Sequence, residues 1–491
     1  MQSRCKSLPR TLRPASAAFG FPNPPPSPLR MACRFSVLLL ALTLLVGCDR
    51  APLEQVGPEL EIVSPDLGLA LTGPGLTLQI RARRGEQLES VRVNGVEAER
   101  TGDIFFAAVQ ASEPGLLPLE IVSVGRSGAE SVLSDAALYL PYAFGGIAFA
   151  ETGAVGEHAA VLLASGGVLV SGGVPTPEGD ATQAAFIVGS GTAPVPTGDL
   201  LDARAGHTMT ALPDGRVLVL GGATRAFPPE PDVLGLDDLV STAEVFDPET
   251  GTFLPVALAL RDPIQRTQHT AFAVPLVGGG TAVYLTGGAG FAGTRGGEPL
   301  FGPISTLRRL RYEPGGPGDG GRLVQDSFDP TDGPRVDYFA GHAESAIEGV
   351  PGATVIVGAK DSLNGFVDAS YRALYGSQSQ DSRLFPLPDP PVVAETRPLV
   401  RVDHAGAPGL AGLAVFTGGR RPGDAARTPI ATTTVYADAP RKRFVLPESA
   451  DLQVPRWGHT ATSVGAGRIL IIGGFDRDGV PAPLVEIFGL R

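Results

Sequence analysis

The stretch GHTMTALPDGRVLVLGG, from Gly206 to Gly222, joins a histidine, a polar turn and an apolar run that ends on two glycines. Each of the six histidines in the chain begins a stretch of this kind. The histidines are His158, His207, His269, His342, His404 and His459. The pairs that follow them are Gly172-Gly173, Gly221-Gly222, Gly287-Gly288, the degraded pair Gly358-Ala359, Gly418-Gly419 and Gly473-Gly474. The histidines therefore mark one position of an internal repeat.

The spacing and composition of the repeat resemble a known architecture. Successive histidines lie 49, 62, 73, 62 and 55 residues apart, and a period of about 50 residues with inserted loops is typical of kelch-type propellers. In that family the second strand of each four-stranded blade ends in two glycines, and the third strand carries an aromatic residue. The third-strand residues here are Val188, Phe246, Tyr312, Tyr375, Tyr436 and Phe488. The resemblance implies an all-β fold with a six-bladed kelch-type β-propeller over residues 143–491.

The two ends of the repeat region complement each other. The sixth unit stops after its third strand, at Arg491, and the stretch GGIAFAE, from Gly145 to Glu151, precedes the first unit without belonging to it. We expect this stretch to form the missing fourth strand of the last blade, because pairing there removes an open sheet edge.

The glycine pairs have a structural explanation. A strand that ends in two residues without a Cβ can turn sharply and lets a neighbouring blade approach closely. GRVLVLGG also lacks the Lys-Ser/Thr of a phosphate-binding loop. We therefore interpret the pairs as structural elements of the repeat.

Arginines accompany four of the histidines. Arg204, Arg266, Arg401 and Arg456 stand three residues before His207, His269, His404 and His459. In a propeller these side chains would lie near one mouth, and we predict that they bind an anionic group there, a carboxylate or a sugar acid, through the forked guanidinium. The alternative is that the arginines bond backbone carbonyls between blades and that the histidines hydrogen-bond within or between blades.

Residues 59–142 predict a separate small domain. In LTLQIRA the apolar residues Leu76, Leu78, Ile80 and Ala82 alternate with polar ones, as a half-buried strand requires. Asn94-Gly95 is a strong signal for a type I′ hairpin, since both turn residues tolerate a positive φ. The segment resembles bacterial immunoglobulin-like β-sandwiches, which implies a spacer between an envelope anchor and the propeller.

The N-terminal region predicts a signal for export and lipid attachment. The stretch MACRFSVLLLALTLLVGC has one early positive charge and a short apolar core, and it ends in residues that resemble the lipobox of bacterial lipoproteins. The resemblance implies a signal peptide over 31–47, lipid attachment at Cys48 and a tether over 48–58. Residues 1–30 form an upstream extension, and translation is expected to begin at Met31. The mature chain would then hold neither Cys5 nor Cys33, which excludes disulfides and cysteine chemistry.

Charge and composition exclude several functions. Residues 1–47 hold six basic residues and no acid, so residues 48–491 carry a formal charge of −18 and would repel nucleic acid. The copper site of the galactose oxidase group needs a cysteine, and the Asp boxes of sialidases are missing. Asp476 and Asp478 lack the full calcium-loop pattern, so we expect no metal and no cofactor.

These observations predict a function class. We expect an envelope lipoprotein, anchored to a membrane through Cys48, whose propeller binds a protein or a glycan without catalysis. Two alternatives stay open: a cofactor-free carbohydrate enzyme of mutarotase or epimerase type, and a structural component of a surface assembly. The sequence leaves open which membrane carries the anchor.

Overall fold

The computed structural model describes residues 58–148 and 155–490, apart from short stretches at 66, 68, 72, 84–86, 190–192, 228–233, 327–334, 363–364, 369, 378–381, 388–399, 425, 439–441, 448–449 and 483. The predicted signal peptide, Met31, Cys48 and the tether up to residue 57 lie outside the described residues. The described chain is all-β, as predicted, and it includes a 3-10 turn at Leu236–Asp238. No helix among these residues is long and apolar enough to span a bilayer.

The N-terminal part forms two sheets that face each other. Its strands are β1 (Leu60–Ser64), β2 (Leu69–Leu71), β3 (Gly75–Ala82), β4 (Leu88–Val93), β5 (Val96–Glu97), β6 (Glu99–Thr101), β7 (Ile104–Gln110), β8 (Gly115–Gly125) and β9 (Glu130–Tyr139). One sheet has the order β1-β3-β7-β6, and the other contains β2-β9-β8-β4-β5. Of the residues predicted on the apolar face of β3, Leu76, Leu78 and Ile80 are buried, and Ala82 is half-buried against the same cluster. Asn94 and Gly95 join β4 to β5 with φ values of 50° and 80°, which confirms the predicted hairpin.

The rest of the chain is organised in six units, each built on four antiparallel strands. The strand before them is β10 (Tyr142–Ala148), and the first two units hold β11 (Ala159–Leu162), β12 (Val168–Ser171), β13 (Ala185–Val188), β14 (Val195–Pro196), β15 (Thr208–Ala211), β16 (Val217–Leu220), β17 (Ala243–Asp247) and β18 (Thr252–Pro255). The third unit and its additions hold β19 (Ala257–Ala259), β20 (Arg266–Thr267), β21 (Thr270–Pro275), β22 (Thr281–Thr286), β23 (Ala289–Arg295), β24 (Glu298–Glu313), β25 (Arg322–Gln325) and β26 (Arg335–Phe339). The last three units hold β27 (Ala343–Ala346), β28 (Ala353–Val357), β29 (Ala359–Ser362), β30 (Gly365–Asp368), β31 (Tyr371–Leu374), β32 (Arg383–Pro386), β33 (Ala405–Pro408), β34 (Leu413–Thr417), β35 (Thr433–Ala437), β36 (Arg443–Pro447), β37 (Thr460–Ser463), β38 (Ile469–Ile472) and β39 (Leu484–Leu490).

The first strands of the six units contact one another in a closed cycle. Strand β11 contacts β15, and the contacts continue through β21, β27, β33 and β37 back to β11. Strand β10 pairs along its length with β39, from Tyr142 opposite Leu490 to Ala148 opposite Leu484. The chain before the first unit thus supplies the fourth strand of the last sheet, as predicted. This strand begins three residues before the predicted Gly145, and its predicted end at Glu151 lies outside the described residues.

The N-terminal sandwich shares a sheet with the fifth unit. Strand β2 pairs in parallel with both β36 and β9, so nine strands from the two regions form one sheet. Leu138 and Leu140 pack with Leu413, Val435 and Val445 in one buried cluster. The sequence predicted a spacer here and did not indicate this joint. Backbone pairing and a common buried cluster therefore connect the two regions.

Candidate functional site

The repeated histidines lie between neighbouring units. All six are buried, with 5–6% of their surface exposed. Five of them place Nε2 within hydrogen-bond distance of a hydroxyl group on the preceding unit. These contacts are His158 with Thr460 (2.9 Å), His207 with Ser171 (3.2 Å), His269 with Thr208 (3.3 Å), His342 with Thr270 (3.0 Å) and His459 with Thr417 (3.0 Å). Burial lowers the pKa of every ring, to about 4 for His158 and about 3 for His342. The rings are therefore neutral at pH 7, which favours the structural interpretation of the histidines.

The glycine pairs allow these histidines to pack closely. A Cβ on Gly221 would lie 2.5 Å from the carbonyl oxygen of Arg266 and 2.7 Å from Cε1 of His269 in the next unit. A Cβ on Gly222 would lie 2.9 Å from Cβ of His207 in its own unit. Both glycines have a positive φ. Close approach of neighbouring units, predicted from the sequence, is thus the physical reason for the pair.

Gly221→Ala is expected to destabilise the protein by about 1–3 kcal/mol more than Gly215→Ala, because overpacking adds to backbone strain. Gly215 also has a positive φ, 88°, but open space surrounds the position of its Cβ, so its replacement measures the strain alone. The difference between the two urea denaturation midpoints gives the packing contribution. Equal losses would contradict the close-approach explanation.

The four repeat arginines are also buried. Arg204 and Arg456 are 0% exposed, Arg401 is 1% exposed and Arg266 is 5% exposed. Arg204 Nη1 donates to the Gly221 carbonyl at 3.0 Å, and Arg456 Nη1 donates to the Gly473 carbonyl at 2.9 Å. Their other amino groups bind third-strand carboxylates, Glu244 and Glu486, which are themselves buried.

The two remaining arginines, Arg401 and Arg266, donate to neutral groups. Arg401 donates to the Thr432 carbonyl at 2.7 Å and to Thr434 Oγ1 at 3.0 Å. Arg266 donates to the Gly287 carbonyl at 3.3 Å, and burial together with the nearby Arg308 lowers its pKa to about 9. The arginines thus favour the alternative of backbone carbonyl bonds. The carbonyls described above, those of Gly221, Gly287, Thr432 and Gly473, belong to the same unit as the arginine that donates to them. The burial of the arginines gives no support to the predicted anionic site.

The residues just before the histidines form a closed ring of backbone hydrogen bonds. The N–H of each donates to the carbonyl of its equivalent in the preceding unit, over distances from 2.6 to 3.4 Å, and the first donates to the sixth. All six have a φ between 53° and 69°. We call this set the backbone ring; its members are Glu157, Gly206, Gln268, Gly341, Asp403 and Gly458.

Glycine and polar residues alternate around the backbone ring. A residue with a Cβ is strained at such φ values. It keeps this conformation where the surrounding structure holds the backbone in place. The glycines provide room for the polar side chains: a Cβ on Gly341 would lie 2.2 Å from Asp403 Oδ1, and one on Gly206 would lie 3.0 Å from Gln268 Nε2. Glu157, Gln268 and Asp403 are therefore placed at strained positions where glycine would be free of strain.

The two carboxyl groups of the ring have different surroundings. Glu157 Oε2 accepts hydrogen bonds from the Phe227 N–H at 2.9 Å and from Gln268 Nε2 at 3.1 Å. Burial raises the pKa of Glu157 to about 8, and the neighbouring Asp403 carboxylate acts in the same direction. Asp403 forms an ion pair with Arg420 Nε at 2.5 Å. The ring thus carries a protonated carboxyl, an amide and a paired carboxylate.

Beside the ring lies a pocket over the single tryptophan of the chain. The guanidinium groups of Arg420 and Arg427 lie 5.8 and 5.0 Å from the centroid of the Trp457 indole. The pocket has a volume of about 420 Å³, and its lining includes Trp457, Arg427, Glu178, Asp476 and Asp478. Asp476 Oδ1 accepts from the N–H groups of Asp478 and Val480, so this loop is a polar turn. Among the described residues, no three His, Cys, Asp or Glu side chains are grouped so that they could hold a metal ion.

The sequence holds a signal for the backbone ring that was not among the predicted site residues. The residue before each repeated histidine is glycine in three units and Glu157, Gln268 or Asp403 in the other three. A position that alternates between glycine and polar residues indicates a backbone with positive φ. The chain matches no protein-family model and no curated protein.

Proposed function

We propose that this protein is an envelope lipoprotein in which the six units form a six-bladed kelch-type β-propeller, preceded by an immunoglobulin-like sandwich. The cyclic contacts of the first strands, the backbone ring and the pairing of β10 with β39 support this architecture. The lipid anchor at Cys48 rests on the lipobox resemblance alone. In this proposal the propeller binds its ligand at the end where the backbone ring lies.

The proposed ligand is a glycan, and the observation that carries this choice is the set of three polar side chains at strained positions of the ring. A sugar hydroxyl both donates and accepts hydrogen bonds, and the ring offers a protonated carboxyl, an amide and a carboxylate. Trp457 and Arg427 in the adjoining pocket add an aromatic surface and a cation. A protein partner for this face is the other outcome that the test below separates.

The test compares Gln268→Gly with the parent protein. Glycan at one hundred times its dissociation constant stabilises the parent by about 2.7 kcal/mol, and Gln268→Gly is expected to lose most of this shift. Its own melting temperature should not fall by much, because glycine relieves strain at a φ of 53° while the bond to Glu157 is lost.

Ala466→Gly is the matched control. Ala466 has a φ of 51° on an exposed turn of the sixth unit, so this substitution changes the backbone in the same way and should keep full glycan binding. Equal binding by Gln268→Gly and Ala466→Gly would overturn the ring as the glycan site. Binding of a protein from the same envelope to the ring, with no response to any glycan, would replace the glycan by a protein partner.

A second candidate function is cofactor-free acid–base catalysis on a sugar. The pair Glu157 and Asp403 favours it, because two carboxyl groups in unlike surroundings can serve as proton donor and proton acceptor. Any sugar that binds is then tested for interconversion of its anomers by NMR. Loss of interconversion in Glu157→Gln with binding retained would support catalysis, whereas equal rates with and without the parent protein would exclude it for that sugar.

A further inference from the structure

The N-terminal sandwich carries an open cleft at the edges of its two sheets. The cleft measures about 860 Å³, and its lining includes Arg81, Arg83, Arg100 and Arg126 together with Glu61 and Asp103. Residues 59–142 contain six arginines and twelve acids in all. Four of those six arginines therefore face one cleft of a domain that is acidic as a whole.

Contacts within the domain hold three of these arginines in place and leave N–H groups unused. Arg81 Nε donates to Glu61 at 3.0 Å, and Arg83 Nη1 donates to Glu59 at 2.8 Å. Arg100 donates through Nε to the Gly102 carbonyl at 3.0 Å and through Nη1 to the Leu88 carbonyl at 3.3 Å, and its guanidinium lies 5.4 Å from the ring centroid of Phe105. A guanidinium that is already oriented loses less freedom when it binds an oxyanion.

Two of the four arginines of the cleft differ from the other two in their ion pairs. The described residues form no ion pair with Arg100 or Arg126, whereas Arg81 and Arg83 are each paired with a glutamate. The side chains of Arg100 and Arg126 are both exposed. A compact oxyanion with several acceptor oxygens would complete this arrangement, since guanidinium groups bind phosphate through two parallel hydrogen bonds.

We propose that this cleft binds a phosphate group. The proposal uses a different domain from the backbone ring, and it does not depend on glycan binding there. The phosphate can come from a lipid headgroup or from a soluble phosphate. The lipid source fits the predicted anchor, because the nine residues between Cys48 and Pro58 allow a span of at most about 35 Å when extended.

The test uses the chain from residue 49 onwards and two probes. One is inorganic phosphate, followed by thermal shift; the other is vesicles of phosphatidylcholine with and without phosphatidylglycerol, followed by co-sedimentation. Arg100→Gln with Arg126→Gln is expected to weaken phosphate binding about tenfold or more, since each lost hydrogen bond to a charged group contributes to affinity. Arg92→Gln is the matched control, because Arg92 is an exposed arginine of the same domain outside the cleft.

The single variant Arg126→Gln separates a loss of phosphate binding from a loss of folding. The Arg126 side chain has no hydrogen bond or ion pair with the described residues, so its loss should leave the fold unchanged and still weaken binding several-fold.

Binding of phosphatidylglycerol vesicles that the double variant loses, with no thermal shift on addition of inorganic phosphate, supports a headgroup as the source. Binding of inorganic phosphate that the double variant loses supports a soluble phosphate. If the parent protein binds neither probe, or the double variant binds as well as Arg92→Gln, the proposal is wrong. Neither result changes the comparison of glycan binding between the parent protein and Gln268→Gly. The two proposals can therefore fail separately.

Discussion

Acidification from pH 7 to pH 5 is expected to unfold the protein cooperatively. The six histidines are neutral and buried in the folded state, where their pKa values lie well below the ordinary 6.5. In the unfolded chain they take up protons below pH 6.5. Because the unfolded state then binds more protons than the folded state, the free energy of unfolding falls as the pH falls from 6.5 towards the folded pKa values.

The size of the effect follows from the number of protons. Each proton of difference contributes about 1.4 kcal/mol per pH unit. Glu157 and Glu344 oppose the trend, since burial raises their pKa values, and together they add at most two protons to the folded state. Six histidines against two carboxyls still leave a slope of about 5 kcal/mol per pH unit near pH 5.5, a large fraction of the stability of most domains.

Urea denaturation at a series of pH values measures this slope. Glu157→Gln removes one opposing group, so its stability should fall more steeply between pH 7 and pH 5.5 than that of the parent. A constant free energy of unfolding over this range would show that the histidines are charged or reached by solvent in the folded protein.

The double variant Arg204→Gln with Arg456→Gln is expected not to fold. Each substitution leaves a buried carboxylate, Glu244 or Glu486, without its cation, and breaking such a pair costs about 3–5 kcal/mol. The two pairs lie in different units, so their losses should add to about 6–10 kcal/mol. This sum is comparable with the whole free energy of unfolding of a typical protein, about 5–15 kcal/mol.

Circular dichroism and the elution volume of the purified variant provide the readout. Arg477→Gln is the control, because Arg477 is an exposed arginine of the sixth unit. Replacing both members of one pair, Arg456→Met with Glu486→Leu, should recover part of the stability that Arg456→Gln loses, since no buried charge is then left alone. A folded double variant that loses only anion binding would instead support the anionic site predicted from the sequence.

The sequence by itself determined the features that depend on local pattern and spacing. The alternation in β3 and the Asn94-Gly95 turn follow from short-range backbone preferences. The sixfold repeat follows from the spacing of histidines and glycines, because neighbouring units pack against each other through the same residue types in every unit. The pairing of the stretch before the first unit with the last sheet was also predicted, since a missing strand and an unassigned strand can be counted along the chain.

Only the tertiary structure decided which charged and polar groups meet. Arg204 and Glu244 lie 40 residues apart, and neither their burial nor their pairing can be read from local sequence. The backbone ring draws one residue from each unit, and strand β2 joins a sheet whose other strands come from the fifth unit and the sandwich. The physical reason is that desolvation and hydrogen bonding depend on the neighbours that folding brings together, so a site built from distant residues appears only when those residues are in place.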